Sequence, residues 1–592
     1  HRLRRRVDEV VGSGSAARTY LTVENGRRFE LPLTWYTQAE KWDFSPGYRE
    51  ANIRFSRLVP DRCMACHNGV PEAVEHVDGL YASVPNGITC ERCHGPGELH
   101  VEERLVSPEA DGEIDVTIVN PADLPYERRL DVCQQCHLSA PGMVLREGRG
   151  AFDFMPSETL SSQLAVFVRP GGSGANVDVV SHANRMRESA CFLGTLDANE
   201  PLECTTCHNP HEGFRSAGPA YFNETCQSCH LPAALTEQVP AEVRSDHEAG
   251  APCFSCHMPK VEAADAPHSS FTDHKIRVVR AGETKAPPPF DREHPLVPYF
   301  ERDYRNRTGQ AYLGMALVVM GRQSNDQFTL AQGAATLDVA LAEDSTLSAG
   351  FFLLGVARQA LGELTRAIPA FERALRAEPG NPERLHALAT VYEQAGRDAR
   401  RVEALYRRAL QLQPRAALFR IDYARFLHRQ GRLGAAREEF ARALLERPSL
   451  DAGLLRLGLL ELDAQRDVDA RRAFQEALRL EPGHARTLRN LIDSRDKVDE
   501  VKVGSPVETP LLGALPGSAV VWTAQEGRLY VAGAPSAAQL SVYSDAGLLL
   551  RRLDGPAWDL RAANGQRVPT GEYLLHVKSS AGVDVIRFAV VG

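Results

Sequence analysis

This chain lacks a long apolar run and an excess of positive charge. None of its 592 residues belongs to an uninterrupted apolar run of about 18, the length that a membrane-spanning helix needs. Lys and Arg number 68 against 77 Asp and Glu, and the resulting formal net charge of −9 argues against a protein that binds nucleic acid. We therefore expect neither a transmembrane span nor a nucleic-acid partner.

Cysteine is scarce outside one repeated motif. Twelve of the 13 cysteines form six C-x-x-C-H pentapeptides between residues 63 and 257: CMACH, CERCH, CQQCH, CTTCH, CQSCH and CFSCH. In c-type haem attachment, two thiols add across the vinyl groups of one porphyrin, and the adjoining histidine supplies an axial (proximal) imidazole to the iron. The motifs thus predict six covalently bound haem c groups. The predicted attachment residues are Cys63, Cys66, Cys90, Cys93, Cys133, Cys136, Cys204, Cys207, Cys226, Cys229, Cys253 and Cys256, and the predicted proximal ligands are His67, His94, His137, His208, His230 and His257.

Disulfides and zinc are the two alternative explanations of the cysteine pairs. An exported protein with many cysteines can carry disulfides, but a disulfide framework does not require a histidine after every second cysteine. A C-x-x-C pair can supply half of a tetrahedral zinc site, but an adjoining histidine is poorly placed to bind the same ion. Haem accounts for the complete pentapeptide. Because this attachment takes place outside the cytoplasm, we expect a periplasmic or extracellular protein.

Seven further histidines lie in the same part of the chain, and each is a candidate for the opposite (distal) axial position of an iron. They are His76, His100, His182, His211, His247, His268 and His274. His100 and His211 follow a motif histidine too closely to reach the same iron, so we expect them to ligate a neighbouring haem. His76 fits least well, because VEHVDG has the composition of an exposed turn.

Three sulfur-containing side chains complete the candidates. Met186 and Met258 are alternative axial ligands, although a gap-filling apolar role is favoured for both. Cys191 lies outside the motifs, and we expect it to be a buried free thiol.

The length of the chain predicts several domains, because one hydrophobic core rarely serves more than about 250–300 residues. Residues 1–62 alternate aromatic and polar side chains (RFELPLTWYTQ, KWDFSPGY), which predicts a β-rich cap. Residues 63–280 form the predicted hexahaem domain. It has too few residues per haem for a conventional core, so we expect loops and short helices around the porphyrins. Residues 281–307 are a Pro-rich linker.

From about residue 308 the sequence predicts helices in a repeat of about 34 residues. Equivalent positions recur as Gly355, Ala367, Phe371, Ala374 and Pro379; as Ala389, Tyr392, Gly396, Ala409 and Pro414 in a slightly longer copy; as Ala424, Gly431, Ala436, Phe440, Ala443 and Pro448; and as Gly458, Ala470, Phe474, Ala477 and Pro482. Small residues let paired helices approach closely, and the proline ends the second helix of a unit. This pattern predicts a tetratricopeptide α-solenoid over residues 308–497, with a degenerate unit at 308–345, rather than an ordinary helical bundle.

The last part of the chain has the alternation of β-strands. After a linker at 498–517, residues 518–592 contain VVWTA, RLYVAG, QLSVYSD, LLLRRL, EYLLHVK and VIRFAVV, separated by turn residues. Short strands at this spacing predict a β-sandwich. The stretch NGQRVPTGEYLLHVKS resembles the end of immunoglobulin-like domains of secreted bacterial proteins, so an Ig-like sandwich is expected.

Several of these segments resemble multihaem cytochromes. CERCHGPGELH, CTTCHNPHEG and CHMPK with HSSFTDHKI are similar to the group of cytochrome c554 and hydroxylamine oxidoreductase. Residues 10–495 as a whole resemble bacterial tetratricopeptide-repeat multihaem c-type cytochromes. The resemblance implies bis-histidine haems stacked in close parallel and perpendicular pairs. The chain departs from the enzymes of that group, because it has no C-x-x-C-K motif, which ammonia-forming nitrite reductases use, and six motifs rather than eight haems.

Seven candidate distal histidines for six irons favour an electron carrier over an enzyme. We expect a chain of bis-histidine haems that passes electrons between redox partner proteins, without catalytic residues. The repeats and the β domain would mediate assembly, and a head-to-tail contact through haems of adjacent subunits would give an extracellular conductive filament. The alternative is a multihaem redox enzyme, a reductase of nitrogen or sulfur oxyanions or a hydroxylamine-type oxidase, in which one iron keeps an open position.

Overall fold

The computed structural model divides into two compact units, His1–Leu491 and Ile492–Gly592. It describes residues 4–49, 53–106, 115–170, 177–213, 216–231, 247, 251–278, 295–300, 304, 306–342 and 346–481, together with strands between 519 and 590. Within these ranges, every helix is too short or too polar to span a membrane. The predicted linker at 498–517 and most of that at 281–307 lie outside the described residues.

The chain begins with an antiparallel sheet. Its five strands are β1 (Glu9–Val11), β2 (Ala17–Glu24), β3 (Arg27–Tyr36), β4 (Lys41–Phe44) and β5 (Arg57–Leu58), in the order β1-β2-β3-β4 with β5 beside β3. Asn25 and Gly26 connect β2 to β3, both at positive φ, as a two-residue hairpin turn requires. Tyr36 and Tyr48 are fully buried, and their hydroxyls donate to backbone carbonyls. These aromatic side chains therefore form part of the core of the sheet.

Short helices, short strands and loops make up the region of the six motifs. Its helices are α1 (Asp61–His67), α2 (Glu91–His94), α3 (Glu98–Val106), α4 (Tyr126–His137), α5 (Leu160–Gln163), α6 (His182–Arg187), α7 (Ala190–Thr195), α8 (Pro219–Gln227) and α9 (Cys253–His257), with 3-10 turns at Pro121–Asp123 and Cys204–Thr206. Its strands pair as β6 (Glu72–Ala73) with β7 (Tyr81–Ser83), as β8 (Gly142–Leu145), β9 (Leu164–Val168) and β12 (Val297–Pro298), and as β10 (Lys260–Glu262) with β11 (Ser270–Thr272). The apolar clusters here are small; one consists of Leu130, Met186 and Phe192 with a few partly buried neighbours.

A solenoid of paired antiparallel helices follows. Its helices are α10 (Arg307–Gln323), α11 (Gln327–Ala340), α12 (Ser348–Ala360), α13 (Leu364–Ala377), α14 (Pro382–Gln394), α15 (Ala399–Leu412), α16 (Ala417–Arg429), α17 (Leu433–Glu446), α18 (Asp451–Asp463) and α19 (Asp467–Leu480). The repeat-defining Ala367, Phe371 and Ala374 have no exposed surface. A Cβ atom at Gly355 would lie 2.7 Å from the Phe371 ring, so glycine sets how closely α12 approaches α13. A tetratricopeptide-like helical solenoid is therefore confirmed, and a helix pair also occupies the degenerate unit at 308–345; residues 482–497 of the predicted domain lie outside the described residues.

The N-terminal sheet packs against loops of the solenoid. Arg27 in β3 is 2% exposed and donates to the Arg415 carbonyl oxygen at 2.7 Å. Asn25 donates to the Leu445 carbonyl oxygen at 2.7 Å, and Ser449 donates to Glu24 at 2.7 Å. These contacts hold the cap on the loop that follows α15 and on the C-terminal end of α17 with its following loop.

The second unit contains two antiparallel sheets. One has the order β13 (Ala519–Thr523), β14 (Arg528–Ala532) and β17 (Ala557–Trp558); the other has the order β16 (Leu549–Leu553), β15 (Gln539–Ser544), β18 (Gly571–Ser579) and β19 (Gly582–Val590). Each of the six expected strand segments overlaps one of these strands. An Ig-like sandwich would also require these two sheets to pack face to face, so the Ig-like fold of this unit stays a prediction.

Candidate haem-binding site

The motifs lie on short helices that end at the motif histidine. Helices α1, α2, α4 and α9 end at His67, His94, His137 and His257. In a helical turn, residues three apart face the same side, so both thiols of such a motif project from one face and the histidine follows at the helix end. The fourth motif begins a 3-10 turn, and Cys226 of the fifth lies in α8.

In four histidines of this region, the Nδ1 atom has a hydrogen-bond partner. The Nδ1 atom of His94 lies 2.8 Å from the Val119 carbonyl oxygen, that of His257 3.0 Å from the Arg277 carbonyl oxygen, that of His274 3.0 Å from the Thr272 carbonyl oxygen and that of His100 2.8 Å from Asp115 Oδ2. A histidine that binds a metal usually donates its other ring N–H in this way, which fixes the tautomer. In these four side chains Nε2 is therefore the atom left for a ligand role.

Predicted proximal and distal histidines are brought together in pairs. Ring centres are 6.0 Å apart for His94 and His211, 6.2 Å for His208 and His274, and 6.3 Å for His247 and His257. In a fourth pair, His137 and His182, they are 5.1 Å apart. Each pair joins one predicted proximal ligand with one predicted distal ligand.

The spacing of three pairs fits an iron between two imidazoles. With metal–nitrogen distances of about 2.0 Å and about 1.1 Å from each nitrogen to its ring centre, opposite ligands place their ring centres about 6 Å apart. The His137–His182 spacing is about 1 Å shorter, and His182 also contacts His274 at 4.7 Å. In three of the four pairs, the ring spacing thus matches that of two histidine ligands on one iron.

Burial keeps several of these imidazoles uncharged. It lowers the pKa of His137, His208 and His274, because the charged form loses its hydration. Burial and, less strongly, the electrostatic effect of His274 lower the pKa of His182 to about 3. The His182 Nδ1 atom is buried without a hydrogen-bond partner. A neutral imidazole has the free lone pair that a metal ligand needs.

The other candidates have no ring contact with a motif histidine among the described residues. His76 and His268 both have positive φ. His76 Nε2 lies 3.3 Å from Glu75, and His268 Nε2 lies 2.7 Å from Asp43 of the N-terminal sheet. His100 is held by Asp115 with Nε2 left over. The distal roles of all seven candidate histidines, including these three, stay predictions.

None of the thirteen cysteines, all of which the structure describes, forms a disulfide. Thiols of different motifs are electrostatically coupled: Cys136 with Cys66, Cys133 with Cys204 and Cys226 with Cys253. The first motif thus neighbours the third, the third the fourth, and the fifth the sixth. Cys191 is half-buried, and burial raises its thiol pKa. In the described part of the chain, no three His, Cys, Asp or Glu side chains converge as a metal-binding cluster.

A buried ion pair positions two distal candidates and was not apparent from the sequence. Arg185 and Asp273 are 2% and 0% exposed, and Arg185 donates two hydrogen bonds to the Asp273 carboxylate at 2.6 and 2.7 Å. Arg185 lies in the helix that begins at His182, and Asp273 directly precedes His274. The pair therefore ties together the segments that carry the two contacting imidazoles. Met186 is buried in an apolar cluster, in agreement with a gap-filling role.

Comparisons with known proteins concern the solenoid. The tetratricopeptide repeat family matches residues 352–414, 387–453 and 429–485. No curated protein matches the chain.

Among solved structures, a crystal structure of MamA is 16% identical, with a TM-score of 0.26, and the match covers 28% of this chain and 96% of that chain. YrrB, described as a tetratricopeptide protein with an unusual peptide-binding site, is 20% identical, with a TM-score of 0.26. The match covers 30% of this chain and 92% of YrrB. MamA from Desulfovibrio magneticus RS-1 is 14% identical, with a TM-score of 0.26. The match covers 32% of this chain and 98% of that MamA chain. The family match alone identifies residues 352–485 as tetratricopeptide repeats, a class of structure that mediates protein–protein interactions.

Proposed function

We propose that this protein is an extracytoplasmic hexahaem c-type cytochrome that carries electrons through haems with two histidine ligands each. One observation carries the proposal: four predicted proximal histidines each contact a predicted distal histidine, three of them at the spacing of two imidazoles on one iron. Bound haem c would supply a one-electron couple at each iron. The residues of this chain would attach the porphyrins, ligate the irons and exclude water from them.

Contacts between motifs support transfer from site to site. His208 and His211 lie in one short segment but pair with His274 and His94, so this segment would serve two haems. His182 contacts His274 although they pair with different motif histidines. Neighbouring haems would therefore share protein segments, an arrangement that suits a conduit.

The haem count and the histidine ligation are tested together. The chain would be produced with an export leader in a host that attaches haem c, purified and assayed for haem by the pyridine haemochrome method. We expect six haems per chain, in low-spin form. Replacement of both motif cysteines by alanine (Cys63→Ala with Cys66→Ala) should leave five. Purified protein without haem, with its cysteines in disulfides or bound to zinc, would refute the proposal.

The solenoid supports a proposed role in assembly. Tetratricopeptide repeats bind protein segments. We propose that the repeats of this chain and its β domain bring haems of adjacent subunits together and so assemble an extracellular conductive filament. Light scattering and electron microscopy of the haem-loaded protein at increasing concentration test this. A monodisperse monomer at high concentration would eliminate the filament.

An enzyme with one open iron is the second candidate. His67 and His230 have no ring contact with another histidine among the described residues, unlike the other four motif histidines. If one of these irons has an open position, the reduced protein should bind carbon monoxide and show a high-spin signal. Such a result would favour an oxyanion reductase or a hydroxylamine-type oxidase, whereas six low-spin irons that do not react with carbon monoxide would exclude it.

A further inference from the structure

The second motif contains a buried arginine. Arg92, in CERCH, is the only basic residue at the variable positions of the six motifs, and it is 5% exposed. Its Nε atom is buried without a hydrogen-bond partner, and no carboxylate of the described residues forms an ion pair with it. An unpaired buried charge is costly, so a compensating role for this guanidinium is expected.

Arg92 lies where three motifs meet. Its Nη2 atom donates to the carbonyl oxygen of Ala65 in the first motif. Gln135 of the third motif donates to the Arg92 carbonyl oxygen at 2.9 Å, and the Cys66 thiol donates to the Gln135 carbonyl oxygen at 3.6 Å. Arg92 is therefore hydrogen-bonded to the backbone of the first motif and to a side chain of the third.

The charge of Arg92 reaches the thiols of all three motifs. The interaction with Cys136 lowers the pKa of Cys66 to about 7 against the opposing effect of burial, and the charge of Arg92 contributes to this lowering. Burial raises the pKa of Cys93, and the interaction with Cys66 together with burial raises that of Cys136; Arg92 opposes both rises. The guanidinium thus acts on one thiol of each of the three motifs, a thiol that would attach a haem.

We propose that Arg92 is a fixed cation shared by the first three attachment motifs and that it raises the reduction potential of at least one of their haems. This inference rests on the proposed haem-binding function. Addition of one electron, from a neighbouring site or an external donor, removes one positive charge from an iron and takes up no proton. A cation that water screens only weakly stabilises the reduced form more than the oxidised form. Electrons would therefore collect at the first three motifs.

Spectroelectrochemical titration of the haem-loaded full-length protein tests the proposal. Arg92→Gln and Arg92→Met should each lower the reduction equilibrium constant of at least one haem about tenfold, which is about 59 mV for one electron, whereas Arg92→Lys should retain most of the effect. Glu91→Gln is the matched control, because it removes one charge from the neighbouring, exposed side chain of the same motif. It should leave the potentials almost unchanged.

Haem content separates the possible failures. Six haems with unchanged potentials in Arg92→Gln and Arg92→Met would overturn the role of Arg92 and leave the proposed function intact. Equal shifts in Arg92→Gln and Arg92→Lys would overturn it too, because the effect would then follow the lost guanidinium contacts rather than the charge. A wild-type protein without haem would refute the proposed function itself.

Discussion

The imidazole rings of His94 and His211 lie 6.0 Å apart and only 13° from parallel. His94 ends a motif helix, and its Nδ1 atom is held by the Val119 carbonyl oxygen at 2.8 Å. His211 lies in the turn after the fourth motif, where its backbone N–H donates to Asn209 at 3.1 Å. Two side chains from separate segments thus lie at a ring spacing that suits one metal ion between them.

Replacement of His211 should open the distal position of one iron. In His211→Ala, we expect one of the six haems to become high-spin and to bind carbon monoxide, because no other described histidine contacts His94. Electron paramagnetic resonance and the carbon monoxide difference spectrum of the reduced protein measure this. Haem content should stay at six, since the attachment cysteines are unchanged.

His76→Ala is the matched control for this experiment. His76 has no ring contact with a motif histidine among the described residues, and its Nε2 atom lies beside Glu75. The spectra of this variant should equal those of the wild type. If His76→Ala opened an iron and His211→Ala did not, the pairing of His94 with His211 would be wrong.

The candidate site was predictable only where its chemistry is local. C-x-x-C-H is defined within five residues, and the repeats of the solenoid recur at fixed positions, so both could be recognised along the chain. The pairing of His94 with His211 and of His208 with His274 depends on how loops cross in space, and spacing along the chain says nothing about it. Similarly, no local pattern distinguishes His268, which contacts Asp43 through Nε2, from His274.

Asp131 should make the stability depend on pH. Its carboxylate accepts the Leu160 N–H at 2.9 Å, and burial raises its pKa to about 6, above its ordinary value of about 3.9. The folded state thus binds this proton more tightly than the unfolded state. The protonated carboxyl contributes roughly 1–3 kcal/mol to the free energy of unfolding. This contribution is complete below about pH 4 and is lost as the pH rises to about 6.

Asp131→Asn should abolish this dependence. Its amide oxygen can still accept the Leu160 N–H, but it has no proton to lose. Free energies of unfolding between pH 4 and 7 should therefore fall for the wild type and stay more nearly constant for the variant, which should be the more stable protein at pH 7. The exposed Asp123 provides the control, because Asp123→Asn should follow the wild-type curve. Parallel curves for wild type and Asp131→Asn would contradict the expected protonation.

Arg27 should stabilise the contact between the N-terminal sheet and the solenoid. It is buried and donates to the Arg415 carbonyl oxygen at 2.7 Å, and its guanidinium lies 3.6 Å from the Glu446 carboxylate. Arg27→Met would leave these acceptors without their partner, so we expect a loss of about 2–4 kcal/mol in the free energy of unfolding. Arg6→Met is the control, since the Arg6 side chain is 81% exposed, and it should cost less than about 0.5 kcal/mol. Denaturant titration measures both, and equal losses would mean that the Arg27 contact does not hold the sheet in place.

Gly355 should tolerate no side chain, although glycine is a poor residue inside a helix. A Cβ there would lie 2.7–2.9 Å from three atoms of the fully buried Phe371 ring, and such overpacking costs about 1–3 kcal/mol. The gain in helix propensity from Gly355→Ala is about 0.5–1 kcal/mol. Because the cost of the clash is larger than this gain, the variant should be less stable than the wild type.

Gly434→Ala makes the same substitution in open space. It lies in helix α17, with nothing within 4 Å of the added Cβ, so only the propensity gain remains and the variant should be slightly more stable than the wild type. Far-UV circular dichroism during denaturant titration measures both changes. Because Phe371→Leu shortens the opposing side chain, adding it to Gly355→Ala should recover part of the loss. Equal stability of Gly355→Ala and Gly434→Ala would mean that the Phe371 ring does not fix the approach of the two helices.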